Sequence, residues 1–134
     1  MVRRLLACWL VVAVAAIGAF AAIAAEAAFP FGRDLMLDGK TTRGHKRLPT
    51  IAIEQDGAAA IDLWCGSARA QAAVGAGTIS FSSVVRDNGQ CDPERIAGDD
   101  DLLDMLLHVT SWRRHGDVIE FSGAAKLRYH LMTN

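Results

Sequence analysis

The chain has 134 residues, which is enough for one domain and too few for two separate hydrophobic cores. Although 51% of the residues are hydrophobic, much of this apolar content lies at the N-terminus, and the remainder resembles an ordinary soluble protein. The 14 Lys and Arg residues are balanced by 15 Asp and Glu residues. This balance argues against a nucleic-acid-binding protein, which would be strongly basic.

The N-terminus has the pattern of a secretory signal peptide. Two arginines precede an apolar run of 21 residues, Leu5 to Ala25, and small residues offer cleavage sites after Ala24 and after Ala27. We therefore expect residues 1–24 to be a signal peptide. A run of this length can also span a bilayer, so the alternative is an uncleaved signal anchor. Both alternatives place the domain outside the cytoplasm, in the periplasm or secreted, with membrane contact only through a retained N-terminal segment.

The first half of the remaining chain predicts short strands. Residues 25–34 have no clear period and are expected to be a short linker before a domain over residues 35–134. A first strand is predicted within residues 34–39, and the basic segment 40–47 is expected to be a solvated loop. Residues 48–65 alternate apolar and polar side chains around Asp56-Gly57, which is a strong signal for a β-hairpin.

The second half predicts one helix and several further strands. We expect a Gly- and Ala-rich connection over residues 66–77, a strand over residues 78–82 and a turn-rich segment around Cys91. Apolar side chains at spacings of three and four predict a helix over residues 99–109, with Asp99 as its N-cap. The alternating segments that follow predict three strands of an antiparallel meander.

The cysteines indicate a disulfide bond. Cys8 lies in the apolar run, and too few apolar residues precede it for the signal of a lipoprotein. In an oxidising compartment the remaining Cys65 and Cys91 have one possible pairing. Such a bond would close a loop of 26 residues, which contributes roughly 3.5 kcal/mol in the chain-entropy model.

No pattern in the sequence points to catalysis. Cys65 precedes Gly and Ser, but Ala68 stands where papain-like enzymes carry their reactive cysteine, so a half-cystine is the better interpretation. Ser67 lacks a Gly-x-Ser-x-Gly frame, and no pair of carboxylates stands out as a tuned acid and base. We therefore predict that the protein is not an enzyme and has neither catalytic residues nor a cofactor.

A metal site is not expected either. Zinc sites need closely spaced Cys or His ligands, and the chain has no Cys-x-x-Cys or His-x-x-x-His pair. The acidic residues 99–101 and 104 lack the alternating spacing and central glycine of a calcium loop. Helix capping explains these acidic residues without a metal.

Arg113, Arg114 and His115 are the candidate binding residues. A basic group beside a turn is typical of a solvated rim, and the alternative is that it binds an anionic component of the cell envelope. Three aromatic side chains at or near strands are interpreted as core or cross-strand partners, with the lining of a ligand site as the alternative: Trp64, Trp112 and Tyr129.

The order of several short segments carries a family resemblance. The segments are residues 48–53 with Asp56-Gly57, Cys65-Gly66-Ser67, residues 77–81, Cys91 with Pro93-Glu94, residues 101–109, Trp112, Gly116-Asp117, Phe121 and residues 127–129. In this order and spacing the chain resembles the META domain, also called the HslJ-like domain, over residues 35–131. Two features depart from the family pattern: Gly66-Ser67 replaces the usual Asn-containing segment after the first cysteine, and the typical Trp at the start of the domain is missing.

The resemblance implies an α+β fold that is mainly antiparallel β. It would be a curved sheet or partial barrel of about six to eight short strands with one main helix packed on it. The family is common in exported or envelope-attached bacterial proteins and implies no catalytic residues. We therefore expect a non-enzymatic exported module that is structural or binds an unknown envelope partner. The alternatives are a carrier of a small apolar ligand and, third, a hydrolase of unrecognised type.

Overall fold

A computed structural model describes residues 27–39 and 47–133 of the chain. The predicted signal peptide and most of the predicted basic loop lie outside the described residues. The elements follow one another as β1 (Leu35–Leu37), β2 (Thr50–Ile53), β3 (Ala58–Asp62), β4 (Ser67–Val74), β5 (Ile79–Asp87), α1 (Pro93–Leu107), β6 (Val109–His115), β7 (Val118–Gly123) and β8 (Lys126–Leu131). The predicted α+β class is confirmed. Within the described ranges, no helix has the length and apolar character needed to cross a membrane.

The strands form one antiparallel sheet in the order β5-β4-β3-β2-β1-β8-β7-β6. The sheet curls until its two edge strands, β5 and β6, approach each other. Thr78 and Ser111 form an isolated bridge between them, and the N–H of Trp112 donates to the carbonyl of Gly77 at 3.1 Å. The result is a half-barrel, as the family resemblance implies.

The predicted hairpin and meander are both present. Ile51 of β2 pairs with Ile61 of β3, and both side chains are buried because large apolar residues alternate with small or polar ones along these strands. Gly57 closes the hairpin with a φ of +88°. A Cβ at this position would collide with the carbonyl oxygen of Ala72, so the turn requires glycine for both reasons.

The connection predicted over residues 66–77 is wrong, because residues 67–74 form strand β4. Its buried side chains are alanines (Ala68, Ala70 and Ala72), so the period-two pattern lacks the large apolar residues that usually mark a strand. Strand β5 also runs further than expected, to Asp87. Its register against β4 shifts near Ser83, whose φ is +54°, and this bulge breaks the alternation after residue 82.

Helix α1 begins and ends earlier in the chain than the helix predicted over residues 99–109. Helix α1 begins at Pro93, and its N-cap is Asp92, whose side chain accepts a hydrogen bond from the N–H of Arg95 at 3.1 Å. The prediction that Asp99 caps the helix is therefore wrong, since Asp99 lies inside α1 and is fully buried. Val109, which was placed in the helix, begins strand β6.

Two segments close the two ends of the half-barrel. At one end, here called the helix end, α1 buries Leu102, Leu103 and Leu106 beside the loop that follows β3. At the other end lie residues 27–34, a segment here called the strap, which places Phe29 in the core. The space between the ends is filled by aromatic and aliphatic side chains, including Phe121 and Tyr129.

The strap contributes to the core although it precedes the first strand. Phe29 is 8% exposed, and its ring centroid lies 5.1 Å from that of Trp112 and 6.5 Å from that of Phe121. The N–H of Gly32 donates to the carbonyl of Ile53 at 2.9 Å. Residues expected to be part of a linker thus pack against the interior of the sheet.

Candidate functional site

Cys65 and Cys91 form a disulfide bond at the helix end. Their Cα atoms lie 5.9 Å apart, across 26 positions of sequence. Cys65 follows β3 and Cys91 directly precedes the N-cap of α1, so the bond joins the sheet to the start of the helix. No free thiol remains at Cys65 to act as the nucleophile that the sequence left as an alternative.

Asp99 lies at the same end, in a role that the sequence did not identify. It accepts hydrogen bonds from the backbone N–H groups of Trp64 (2.9 Å), Cys65 (3.1 and 3.2 Å to its two oxygens) and Gly66 (2.9 Å). Its side chain is 0% exposed. A buried carboxylate needs such donors, because it has lost its hydration. The loop over residues 64–66 therefore wraps around a charge supplied by α1.

Arg86 completes this arrangement. Its Nη2 lies 3.8 Å from Asp99 Oδ2 and donates to the carbonyl of Ile96 at 3.4 Å, and its Nη1 pairs with Asp100. The guanidinium thus neutralises the buried carboxylate and ties β5 to α1. The oxygens of Asp99 are engaged by backbone donors, so the cluster holds the fold together and presents no free base.

The loop also depends on close backbone packing at its glycines. A Cβ at Gly66 would collide with the carbonyl oxygen of Asp87, and a Cβ at Gly89 would lie 2.7 Å from the carbonyl oxygen of Cys65. Trp64 covers Gly98 of the helix, at 3.6 Å from the position that a Cβ there would occupy. Ser67 begins strand β4 directly beyond this loop. Gly66, which departs from the family pattern, is therefore required by the close packing of this loop against Asp87.

The three predicted binding residues do not share one face. Side chains alternate along β6, and the register with β7 pairs Arg114 with the buried Ile119 and Arg113 with Glu120. Arg114 therefore turns toward the strap end, where its Nη1 donates to the carbonyl of Ala28 and its Nε to that of Gly116, both at 2.9 Å. Arg113 and His115 lie on the outer face of the sheet and are exposed.

A shallow cleft of about 310 Å³ lies at the strap end. It is lined by Ala27, Gly77, Trp112, Arg113, Arg114 and His115. Trp112 donates from Nε1 to the carbonyl of Gly75 at 2.9 Å. Because Arg114 and Trp112 already direct donors at backbone carbonyls, the cleft has fewer polar groups available to a ligand than its residue types suggest.

The register of the meander places further basic residues beside Arg113. We define the basic face as the nine outward-facing positions of β6, β7 and β8: Ser111, Arg113, His115, Val118, Glu120, Ser122, Lys126, Arg128 and His130. Glu120 stands between Arg113 and Arg128 in the register, and its carboxylate lies 3.8 Å from the ammonium of Lys126. The face carries three permanent positive charges and two histidines against one carboxylate.

The opposite part of the sheet has no such excess. The outward-facing positions of β3, β4 and β5 hold one arginine, Arg69, and two aspartates, Asp62 and Asp87. Four exposed acidic side chains lie on α1, at Glu94, Asp100, Asp101 and Asp104, and others lie in turns, among them Asp38 and Asp117. Of the three described surfaces compared, the outer face of β3–β5, the exposed side of α1 and the basic face, only the basic face carries more cations than carboxylates. The sequence alone did not reveal this face because its residues come from three strands whose pairing was unknown.

The described residues offer little for metal or proton-transfer chemistry. Within residues 27–39 and 47–133, no three His, Cys, Asp or Glu side chains come together in a group that could hold a metal ion. Burial raises the pKa of the Tyr129 hydroxyl well above its ordinary value of 10.0. Tyr129 packs against Phe121 in the core, with 5.3 Å between the ring centroids. Tyr129 therefore serves the packing of the core, and its raised pKa results from that burial.

Comparison with known proteins identifies the family. The family model of the META domain matches residues 33–134. An NMR structure of a protein from Burkholderia xenovorans has a TM-score of 0.61 and 14% identity, with 78% of this chain and 84% of that chain covered. A second NMR structure has a TM-score of 0.59 and 14% identity, with 74% of this chain and 88% of that chain covered. At 14% identity these two likenesses show the fold alone.

A search of curated proteins finds no match. The family assignment rests on the family model, which covers most of the chain and agrees with the resemblance found in the sequence. The chain belongs to the META domain family.

Proposed function

We propose that the protein is a non-catalytic module of the bacterial cell envelope that binds an anionic partner through its basic face. The observation that carries this proposal is that Arg113, Lys126 and Arg128 share the outer face of β6–β8, whereas the outward-facing positions of β3–β5 and the exposed side of α1 hold more carboxylates than cations. Clustered surface cations attract anionic partners and orient their approach.

An extracytoplasmic location agrees with the disulfide bond. Disulfides form and persist in oxidising compartments and are rare in the cytosol. The bond between the half-buried Cys65 and Cys91 joins the end of β3 to the start of α1, as a structural disulfide does. The N-terminal apolar run supports the same location, although it lies outside the described residues.

The bonding of the two candidate reactive groups, the sulfur of Cys65 and the carboxylate of Asp99, supports a non-catalytic role. The sulfur of Cys65 is bonded to Cys91, and the carboxylate of Asp99 is surrounded by backbone donors. The apolar interior likewise argues against a carrier, because Phe121 lies in ring contact with Phe81 and Tyr129, at 6.1 and 5.3 Å between centroids. We therefore place the binding surface on the outside of the sheet.

The proposal is tested with a charge-removing variant and a matched control. The variant is Arg113→Gln/Arg128→Gln, and the control is Arg47→Gln/Arg69→Gln, which removes the same charge from exposed positions outside the basic face. Arg114 is left intact because it holds Ala28. The measurement is the fraction of each protein, prepared as residues 25–134 without the apolar run, that sediments with crude bacterial envelopes containing membrane and cell wall.

We expect the wild type and the control to sediment with the envelopes and the variant to remain largely in solution. Equal sedimentation of all three proteins, or none for the wild type, would overturn the proposal.

A further inference from the structure

The geometry points to a specific partner for the basic face: the surface of a bilayer that contains anionic phospholipids. This inference rests on the function proposed above and names the partner of the same face. Its first support is the arrangement of the cations in two dimensions. Neighbouring strands lie roughly 5 Å apart and alternate residues along a strand roughly 7 Å apart. The cations therefore form a grid and not a line.

The grid follows from the register of the meander. Arg113 and Arg128 lie in one row across the strands, with Glu120 between them, and are separated by roughly 10 Å. Lys126, Arg128 and His130 lie along β8 on the same face. A flat surface with many negative headgroups can engage all these positions together, whereas a single extended anionic chain would follow one row. The grid therefore favours a lipid surface.

The second support is where the N-terminal segment enters the domain. The carbonyl of Ala28 is held by Arg114 of β6, so the chain enters beside the strand that also carries Arg113 and His115. Only Glu26 and Ala27 separate Ala28 from the end of the apolar run at Ala25. Two extended residues span about 7 Å. While the apolar run is in a membrane, Arg113 and His115, which line the same cleft as Ala27, are therefore held close to that membrane.

The third support is the position of the exposed acidic residues of α1. Glu94, Asp100, Asp101 and Asp104 are exposed on α1, at the helix end of the half-barrel, away from the point of entry of the chain. An anionic bilayer repels these carboxylates and attracts the basic face, so both interactions favour the same orientation. The domain would therefore rest on β6–β8 with α1 directed toward the aqueous side.

The test uses residues 25–134 with the disulfide formed, which lack the apolar run that would itself insert into lipid. This segment holds every described strand, α1 and both cysteines of the disulfide. Its binding is measured by sedimentation with vesicles of phosphatidylcholine alone and with vesicles in which roughly one third of the lipid is phosphatidylglycerol. Circular dichroism confirms that each protein is folded before it is compared.

We expect binding to the anionic vesicles only, and its loss at about 0.5 M salt, where charges are screened over a few Å. Each basic side chain near an anionic surface contributes roughly a fivefold change in partition, so Arg113→Gln/Arg128→Gln should reduce partition by roughly 25-fold. Arg47→Gln/Arg69→Gln, which loses the same charge elsewhere, should bind like the wild type.

Three results would overturn the inference: equal binding to both kinds of vesicle, an equal loss in the two double variants, or no binding to lipid. If the protein also fails to sediment with crude envelopes, the proposed function fails as well. If it sediments with envelopes through the basic face but ignores pure lipid vesicles, the proposed function stands and the lipid partner is wrong.

Discussion

Both carboxylate oxygens of Asp99 lie within hydrogen-bond distance of the backbone nitrogen of Cys65, at 3.1 and 3.2 Å. The side chain of the same cysteine is bonded to Cys91, directly before the N-cap of α1. Cys65 is therefore attached to the helix region twice, once through its backbone and once through its sulfur. These two attachments join the end of β3 to α1.

Replacement of Asp99 should be among the most destabilising single changes in the domain. Asp99→Ala leaves the N–H groups of Trp64, Cys65 and Gly66 without an acceptor and leaves Arg86 without its buried counter-charge, at a cost of about 3 kcal/mol or more. Urea unfolding measures the free energy. The control is Asp101→Ala, at an exposed position of the same helix, for which we expect a change within about 0.5 kcal/mol. Similar losses for the two variants would contradict the role assigned to Asp99.

Removal of the disulfide should lower stability by roughly 3.5 kcal/mol, because the 26-residue loop is no longer closed in the unfolded chain. For a domain of this size the melting temperature should fall by an amount on the order of 15 °C. Thermal unfolding of the oxidised protein, the reduced protein and the variant Cys65→Ser/Cys91→Ser tests this. Non-reducing peptide mapping should find the two cysteines joined, and two free thiols in protein recovered from an oxidising compartment would contradict the pairing.

Phe29→Ala should destabilise the domain by about 3 kcal/mol, because it opens a cavity between Trp112 and Phe121 at the strap end. Phe31→Ala is the matched control, since Phe31 is partly exposed and should lose less. Chemical unfolding gives both values. If Phe29→Ala has no effect, the strap does not contribute to the core.

Tyr129 should make the protein lose stability at alkaline pH. Burial raises the folded-state pKa of its hydroxyl, so the folded protein retains a proton that the unfolded chain releases. The full stability is therefore present below about pH 10, the ordinary pKa of tyrosine, and falls as the pH rises above it, by up to about 1.4 kcal/mol per pH unit. Urea unfolding from pH 8 to pH 11 should show this slope in the wild type and a shallower one in Tyr129→Phe.

The chain holds a single tyrosine, so the ultraviolet absorbance of its phenolate reports on this side chain directly. We expect the phenolate to appear only together with unfolding. A titration midpoint near pH 10 in a protein that is still folded would show that the hydroxyl is accessible to water.

The features that could be predicted from the sequence are those with a strong local pattern. The hairpin around Gly57 and the final meander alternate large apolar side chains with polar ones, and the two cysteines outside the apolar run have only one pairing. The order of these segments was also enough to identify the family. In each case the information lies in neighbouring residues or in their order along the chain.

The features that were missed depend on contacts between distant segments. Strand β4 presents alanines to the core, which resemble a linker until the facing strands are known. Asp99 stands in a run of three aspartates, and only the fold of residues 64–66 around it distinguishes this buried carboxylate from its exposed neighbours. The burial of Phe29 likewise requires the open end of a half-barrel, and the basic face requires the register of three strands.

The central position of β1 has a consequence for the order in which the domain can assemble. Leu35 pairs with Ile51 on one side and with Leu131, near the C-terminus, on the other. A chain delivered N-terminus first, from a ribosome or through a translocation pore, can form β2–β5 as successive hairpins, but β1 keeps one open edge until β8 arrives. Completion of the sheet must therefore wait for the last residues of the chain, and any product that ends before Lys126 would leave two exposed strand edges capable of pairing with other molecules.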